Sequence, residues 1–304
     1  MSQEVHEVSS LSNFNNQSKE TLECYLCGNK NLKALFSESR ERKEYTSYHC
    51  SDCNLYQTLG NVDPLSPDYI NLEEGDLNSA HRFLQTTHKL PAFEQWKDLV
   101  RVHHVKPLNE SAVLDVGCGI GGFLDFALSL NLTTFGFDAS NAHAKVARSH
   151  HPLVRHAISP QSYFQELGIV PHIDLVTLWD VFEHVRDPAK FLFDLQAVLR
   201  QSNGLLFVSV PSGAMNPVKV RVAKMLNRPA GLIPWEHVFY YTPKSLRRVV
   251  EEAGFEILDS GGVLPYVRQP LTIHECLRRT LHRCLRNTDR ALQLYIIARP
   301  LQKP

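Results

Sequence analysis

Ala112-Val113-Leu114-Asp115-Val116-Gly117-Cys118-Gly119-Ile120-Gly121-Gly122-Phe123 is the stretch around which this chain is organised. An apolar run carrying one aspartate gives way to four glycines within six residues, and an apolar, helix-like segment follows. This reads as strand, tight turn, helix. Glycines permit backbone angles closed to other residues and leave room for a ligand against the main chain. The helix start presents free N–H groups and a partial positive charge. Such turns serve several ligand classes, so the glycines alone select none of them. Asp115 is the discriminating residue. A carboxylate at the mouth of the turn repels a diphosphate and favours a cationic ligand, while a ligand carboxylate still suits the helix start.

A second stretch agrees in order and spacing. Phe135-Gly136-Phe137-Asp138-Ala139-Ser140 reads as a strand ending in an acid, 23 positions after Asp115. In a βαβ unit that acid reaches ribose hydroxyls. With Asp115-x-Gly117-x-Gly119 in place, the chain resembles the class I S-adenosylmethionine-dependent methyltransferases. Their cofactor carries an ammonium and a sulfonium and no phosphate. The resemblance covers about 110–298 and implies an α/β fold, a Rossmann-like seven-stranded methyltransferase sheet. It implies that Asp115, Gly117, Cys118, Gly119 and Gly121 hold the methionine part, and Asp138 with Ala139 the ribose. Ile158 and Ser159 stand where the adenine is held, and Trp179 and Asp180 line the same site. Many members carry an acid at the adenine position, and this chain does not.

The length of 304 residues suits one full α/β domain plus a small module. Hydrophobic residues make up 43%, enough for a sizeable core. Lysine plus arginine and aspartate plus glutamate each number 32, so no global field draws the chain to nucleic acid or to an anionic membrane. No apolar run approaches the roughly 18–20 residues of a membrane span. The first 22 residues are polar, without an apolar signal core, and are expected to be a disordered tail. The expected location is the cytoplasm, with no membrane partner.

Four of the seven cysteines form two Cys-x-x-Cys pairs, Cys24 with Cys27 and Cys50 with Cys53. Each pair sets two thiols on one side of a tight turn. Two such knuckles give four sulfurs in a tetrahedron, the geometry of structural zinc. The 22 residues between the pairs fit a hairpin of 31–36 against 45–49. A redox dithiol is the other use of one pair, and the second pair argues against it. The expected organisation is a tail over 1–22, a zinc-binding module over 23–60, a linker and helical cap over 61–108, and the cofactor-binding domain over 109–304. Within the cap, Phe83, Leu84, Leu90, Phe93, Trp96, Leu99 and Val100 recur at helical spacing, with a break expected at Pro91.

From Ser111 onward strands and helices alternate, the pattern of a parallel doubly wound sheet. A strand over 173–179 ends at Asp180, followed by Val181-Phe182-Glu183-His184. A helix here puts Asp180, Glu183 and His184 on one face. This resembles the acid-x-x-Glu-His motif of the ubiquinone-pathway O-methyltransferases. In some of those the motif accompanies a divalent cation that orients the acceptor hydroxyl. The other reading is a turn in which Glu183 and His184 pair with Arg186. Further on, the aromatic-rich run 234–243 places His237 before a helix capped by Thr242, making His237 a candidate base. Arg279, Arg283, Arg286 and Arg290 share one helix face, which fits a solvated or dimer-facing helix.

The implied function is methyl transfer from S-adenosylmethionine to a small-molecule acceptor, with O- or C-methylation favoured. Asp180, Glu183, His184 and His237 are the groups expected to face the acceptor. Two alternatives stand beside it: an inert cofactor fold that docks a partner, and an RNA or protein methyltransferase. The absence of an Asn/Asp-Pro-Pro-aromatic motif after residue 179 disfavours methylation of base amino groups. A homodimer remains open.

Overall fold

The computed structural model describes residues 22–59, 62, 79–266 and 272–302, with the backbone alone for 79–86 and 274. Apart from residue 22, the expected tail lies outside these residues, as does most of the expected linker; so do the side chains of Phe83 and Leu84. Three strands come first: β1 (Leu32–Arg40), β2 (Lys43–Cys50) and β3 (Tyr56–Leu59). The expected hairpin forms, with Leu32 opposite Cys50 and Arg40 opposite Lys43.

Helix α1 (Ser79–His103) runs through Pro91 without the expected break. A proline inside a helix costs roughly 3 kcal/mol. Here Ala92, Phe93, Trp96 and Val100 are all buried along one face. Each large apolar side chain so buried contributes on the order of 2 kcal/mol, so packing outweighs the lost hydrogen bond.

The main domain follows in strict alternation: β4 (Ala112–Val116), α2 (Gly122–Ser129), β5 (Thr133–Asp138), α3 (Asn141–Arg148), β6 (Val154–His156), α4 (Pro160–Leu167), β7 (Leu175–Trp179), α5 (Pro188–Arg200) and β8 (Leu205–Pro211). Then come α6 (Asn216–Met225), β9 (Phe239–Tyr240), α7 (Pro243–Glu252), β10 (Phe255–Gly262), α8 (Ile273–Leu285) and β11 (Gln293–Pro300). Seven strands form one sheet in the order β10-β11-β8-β7-β4-β5-β6. β4 to β8 are parallel, and β11 is antiparallel to both β8 and β10. The central strands are buried on both faces, which is why they read as near-continuous apolar runs. One face packs on α1 and α2, the other on α4, α5 and α7.

Helix starts carry their sequence signals. Ser159 caps α4 and Thr242 caps α7, each in a reciprocal box with the serine three residues on. Pro188 stands at the first position of α5 behind the Asp187 cap. Among the described residues no helix is long and apolar enough to cross a membrane.

The small module is not a separate body. Its strands form a second sheet in the order β1-β2-β3-β9, completed by a strand from the segment between β8 and α7. Tyr56 pairs with Tyr240 and Gln57 with Phe239. Cys24, Cys50, Cys53 and Leu55 belong to the same apolar core as the main sheet. Residues on both sides of residue 60 thus contribute to one core.

Candidate active site

The glycine turn lies at the carboxyl end of β4. Gly117, Gly119 and Gly121 all have left-handed φ values, of 68, 54 and 93°. The N–H groups of Gly117 and Cys118 both donate to the Phe137 carbonyl, at 2.9 and 3.0 Å. This ties the turn to the end of β5. A side chain at Gly117 is disfavoured twice, by its φ and because a Cβ there lies 2.4 Å from a Val181 methyl.

Asp115 and Asp138 face the same side of the sheet. Asp115 pairs with Gly136, and Asp138 is two residues beyond it. Asp138 is buried and accepts the Gly119 N–H at 2.8 Å and the Ser140 N–H at 2.8 Å. Its carboxylate therefore shapes the loop directly. Asp115 is 2% exposed and accepts the Thr177 hydroxyl at 2.7 Å. Burial pushes its pKa up to about 7, against the pull of Thr177 and of the Lys89 ammonium. Cys118 is buried against Leu124 and Ala144, behind the turn. Ala139 uses its carbonyl to accept from a ring nitrogen of His156, at 3.0 Å. Ile158 is exposed beside the Ser159 cap of α4. Trp179 is packed against Phe93, Phe123 and Phe207, with ring centroids 4.6–5.6 Å away.

Beyond β7 the structure departs from the expected helix. Residues Phe182–His184 form a single 3-10 turn, and Asp180 has a left-handed φ of 58°. The spacing that would align Asp180 with Glu183 and His184 is lost. Asp180 instead accepts from Lys89 Nζ at 2.7 Å, Tyr266 OH at 3.0 Å and Gln293 Nε2 at 2.5 Å. Burial opposes its ionisation, but the Lys89 ammonium and these donors outweigh burial and hold the carboxyl below its ordinary range.

The residue that joins Glu183 and His184 is His237. Ligand atoms of these three side chains lie within 4.8 Å of one another. Glu183 is 1% exposed, and neither carboxylate oxygen has a hydrogen-bond partner. Burial, then the neighbouring Asp180, raises its pKa well above the usual value. His184 donates from Nδ1 to the Glu236 carbonyl at 3.0 Å, which leaves the Nε2 lone pair free, 4.0 Å from Glu183. His237 is buried with Nδ1 unpartnered, its ring centroid 4.8 Å from that of His184. Burial and then His184 lower its pKa to about 3. The Val238 N–H donates to the Glu183 carbonyl at 3.0 Å, so backbone fixes the pairing of the two segments.

Lys89, Tyr266 and Gln293 were not singled out in the sequence. They come from α1, the segment after β10 and the start of β11, and no local pattern marks them. Only the fold brings them to Asp180.

The four cysteines converge as expected. Cys24 Sγ lies 3.4 Å from Cys53 Sγ, and Cys27 Sγ 3.5 Å from Cys50 Sγ. All four sulfurs lie within 4.8 Å of one another, and all four cysteines are free thiols. Left-handed Gly28 and Asn54 close the two knuckles, through Gly28 N–H to Cys24 O and Asn54 N–H to Cys50 O. The second knuckle also grips the start of α7: Thr242 Oγ1 donates to Asn54 O at 3.1 Å and Lys244 Nζ to Asp52 O at 2.6 Å.

A parallel sheet closed by an antiparallel hairpin, with a glycine turn between two strand-end acids, defines the class I S-adenosylmethionine-dependent methyltransferase fold. The sequence profile described as a methyltransferase domain matches residues 83–260, more than half of the chain, and the chain belongs to that family. It is 30% identical over 166 residues to the ubiquinone biosynthesis O-methyltransferase of Methylobacterium sp. (strain 4-46), an alignment covering 52% of this chain and 65% of the relative. With the protein of the same description from Dinoroseobacter shibae it shares 29% over 180 residues, 57% of this chain and 70% of that one. The chain thus spans less than two thirds of the first of these relatives. Among solved structures, the magnesium protoporphyrin IX methyltransferase from Synechocystis PCC 6803 with bound SAH aligns at a TM-score of 0.46 and 15% identity, over 74% of this chain and 88% of that one.

Proposed function

We propose that the protein transfers the methyl group of S-adenosylmethionine to an oxygen of a small-molecule acceptor. The observation that carries the reading is the loop between Asp115 and Asp138, with three left-handed glycines and the Gly119 N–H held on Asp138. The ubiquinone-pathway O-methyltransferases among the relatives support oxygen as the acceptor atom.

The cofactor fits the residues present. The chemistry it supplies is a carbon already activated by sulfonium. What remains for the chain is alignment and exclusion of water. Asp115 takes the ammonium of the methionine part and Asp138 the ribose hydroxyls, with the glycine turn leaving room for the ligand against the main chain. Ile158 offers exposed apolar surface to the adenine beside Ser159. Asp180, held by Lys89, Tyr266 and Gln293, faces the reacting end. His184, neutral and with Nε2 free, accepts the proton of the acceptor hydroxyl as its oxygen takes the methyl group.

Glu183, His184 and His237 also suit a divalent cation. Two unpartnered carboxylate oxygens and an unpartnered imidazole nitrogen, all buried, are the donors such an ion takes. The His184 bond to the Glu236 carbonyl is the kind of outer contact that orients a ligating ring. Bound there, the cation lowers the pKa of an acceptor hydroxyl. The four cysteines, with no open position, suit a structural zinc ion.

Calorimetry with S-adenosylhomocysteine and the zinc-loaded protein tests the cofactor assignment; absence of binding overturns it. Turnover with phenolic acceptors before and after chelation separates the two proton routes. Activity that survives chelation assigns the proton to His184, and loss restored by magnesium, which four thiolates do not hold, assigns the three donors to the cation.

A further inference from the structure

Two helices beyond the carboxyl end of the main sheet turn apolar side chains outward. α6 buries Asn216, Val220 and Ala223. Its opposite face carries Val218, Val222, Met225 and Leu226, all exposed, Met225 to 79%. At 3.6 residues per turn these four fall in one stripe, with Arg221 along one edge and Lys219 along the other. α8 is inverted. Glu275 and His282 face the protein and are buried, while Ile273, Leu277 and Leu281, four residues apart, are exposed to 83, 65 and 51%. Single exposed leucines are ordinary; two continuous helical stripes are not.

The topology sets both helices at one end of the molecule. α6 follows the end of β8, and α8 lies in the connection from β10 to β11. Pro211 at the end of β8 pairs with Gln293, and Gly262 at the end of β10 pairs with Leu294. Gln293 in turn holds Asp180, so this is the end that carries the candidate active site.

The charge around the stripes is one-sided. Residues 213–234 hold Lys219, Arg221, Lys224 and Arg228 and no acid. Residues 278–290 hold five arginines against the single acid Asp289, in a chain whose formal charge is zero. Arg278 is neutralised by Glu275 at 2.6 Å, and Arg279 and Arg286 are half-buried, so Arg283 and Arg290 are the exposed cations at this helix and its end. An outward apolar stripe edged by cations is the arrangement that seats a helix in the plane of an anionic lipid interface: the stripe enters the acyl boundary and the cations meet phosphates. We infer that α6 and α8 dock the protein on an anionic phospholipid surface, with the active-site end of the sheet towards it. No described helix crosses a bilayer, so the attachment is peripheral. The inference rests on exposure and charge and does not depend on the methyl-transfer reading.

Flotation of the full chain with vesicles tests it, comparing pure phosphatidylcholine with phosphatidylcholine mixed with phosphatidylglycerol. The protein floats with the mixed vesicles only, and added salt releases it. Arg221→Gln or Arg283→Gln lowers partition about fivefold, the equivalent of the ~1 kcal/mol that one basic residue contributes near an anionic surface. Met225→Asp combined with Leu277→Asp abolishes flotation while S-adenosylhomocysteine affinity and the circular dichroism spectrum stay unchanged. No flotation, or equal flotation of wild type and the Asp variant, overturns the inference. So does a wild-type dimer in light scattering that the Asp variant breaks without any change at vesicles, because the stripes then face a second copy.

Discussion

Two carboxylates at strand ends set what the candidate site can bind, and their surroundings give them different tasks. Asp138 keeps both oxygens on backbone N–H groups of the loop and the next turn. Asp138→Ala is expected to weaken S-adenosylhomocysteine binding by on the order of 1.5–3 kcal/mol, the cost of losing hydrogen bonds to a charged acceptor. Calorimetry reads this, and unchanged affinity removes Asp138 from the ribose role. Asp115 titrates near 7 because burial disfavours its charged form. A cationic ligand binds the ionised form, so protons compete with it below that value. Affinity for the cofactor is therefore expected to be flat above pH 7 and to fall about tenfold per unit below it. Asp115→Asn flattens this profile and lowers the plateau; a wild-type affinity independent of pH between 5.5 and 8 contradicts the assignment. Asp180 was expected in a shared cluster with Glu183 and His184, and a single left-handed residue redirected it. Nothing in the letters around 180 marks that change of direction, because it follows from where Lys89, Tyr266 and Gln293 arrive.

Elements here are held by short-range devices that sequence shows well and by cross-chain contacts that it does not. The Gly117 turn is legible because glycine takes a left-handed φ at no steric cost. The Val181 contact beneath it is not legible. Gly117→Ala adds roughly 1–2 kcal/mol of backbone strain to a 2.4 Å clash with Val181. Thermal denaturation is expected to show a lower Tm, and Val181→Ala in the same chain to recover part of it. Thr242 was read as a helix cap, and it is one. It also donates to Asn54 O in the second knuckle, a contact across 188 positions. Thr242→Ala should therefore cost somewhat more than the ~1 kcal/mol of an isolated cap, and urea unfolding measures the difference. Pro91 shows the opposite balance. Its local rule predicts a break, and the burial of Phe93 and Trp96 overrides it.

At the scale of the whole molecule, the cysteine module and the segment that carries His237 are one construction. β9 closes the module's sheet, His237 lies two residues before β9, and Thr58 N–H donates to Val238 O at 2.9 Å. Anything that loosens the knuckles should loosen His237. Chelation of the purified protein is expected to raise hydrogen exchange at 56–59 and 239–240 while 112–116 stays protected; uniform protection after metal loss contradicts the coupling. The sequence by itself determined the alternating sheet, the glycine turn with its two acids, the four cysteines as a set, and the Thr242 cap. Those are features of spacing within a few residues, or of residue chemistry so restricted that few backbones satisfy it. Only the tertiary structure decided that Asp180 leaves the Glu183 and His184 pair, that His237 joins it, and that the module shares a sheet with the catalytic domain. These contacts link positions tens to hundreds of residues apart, and burial and strand pairing choose them after the local pattern has been satisfied.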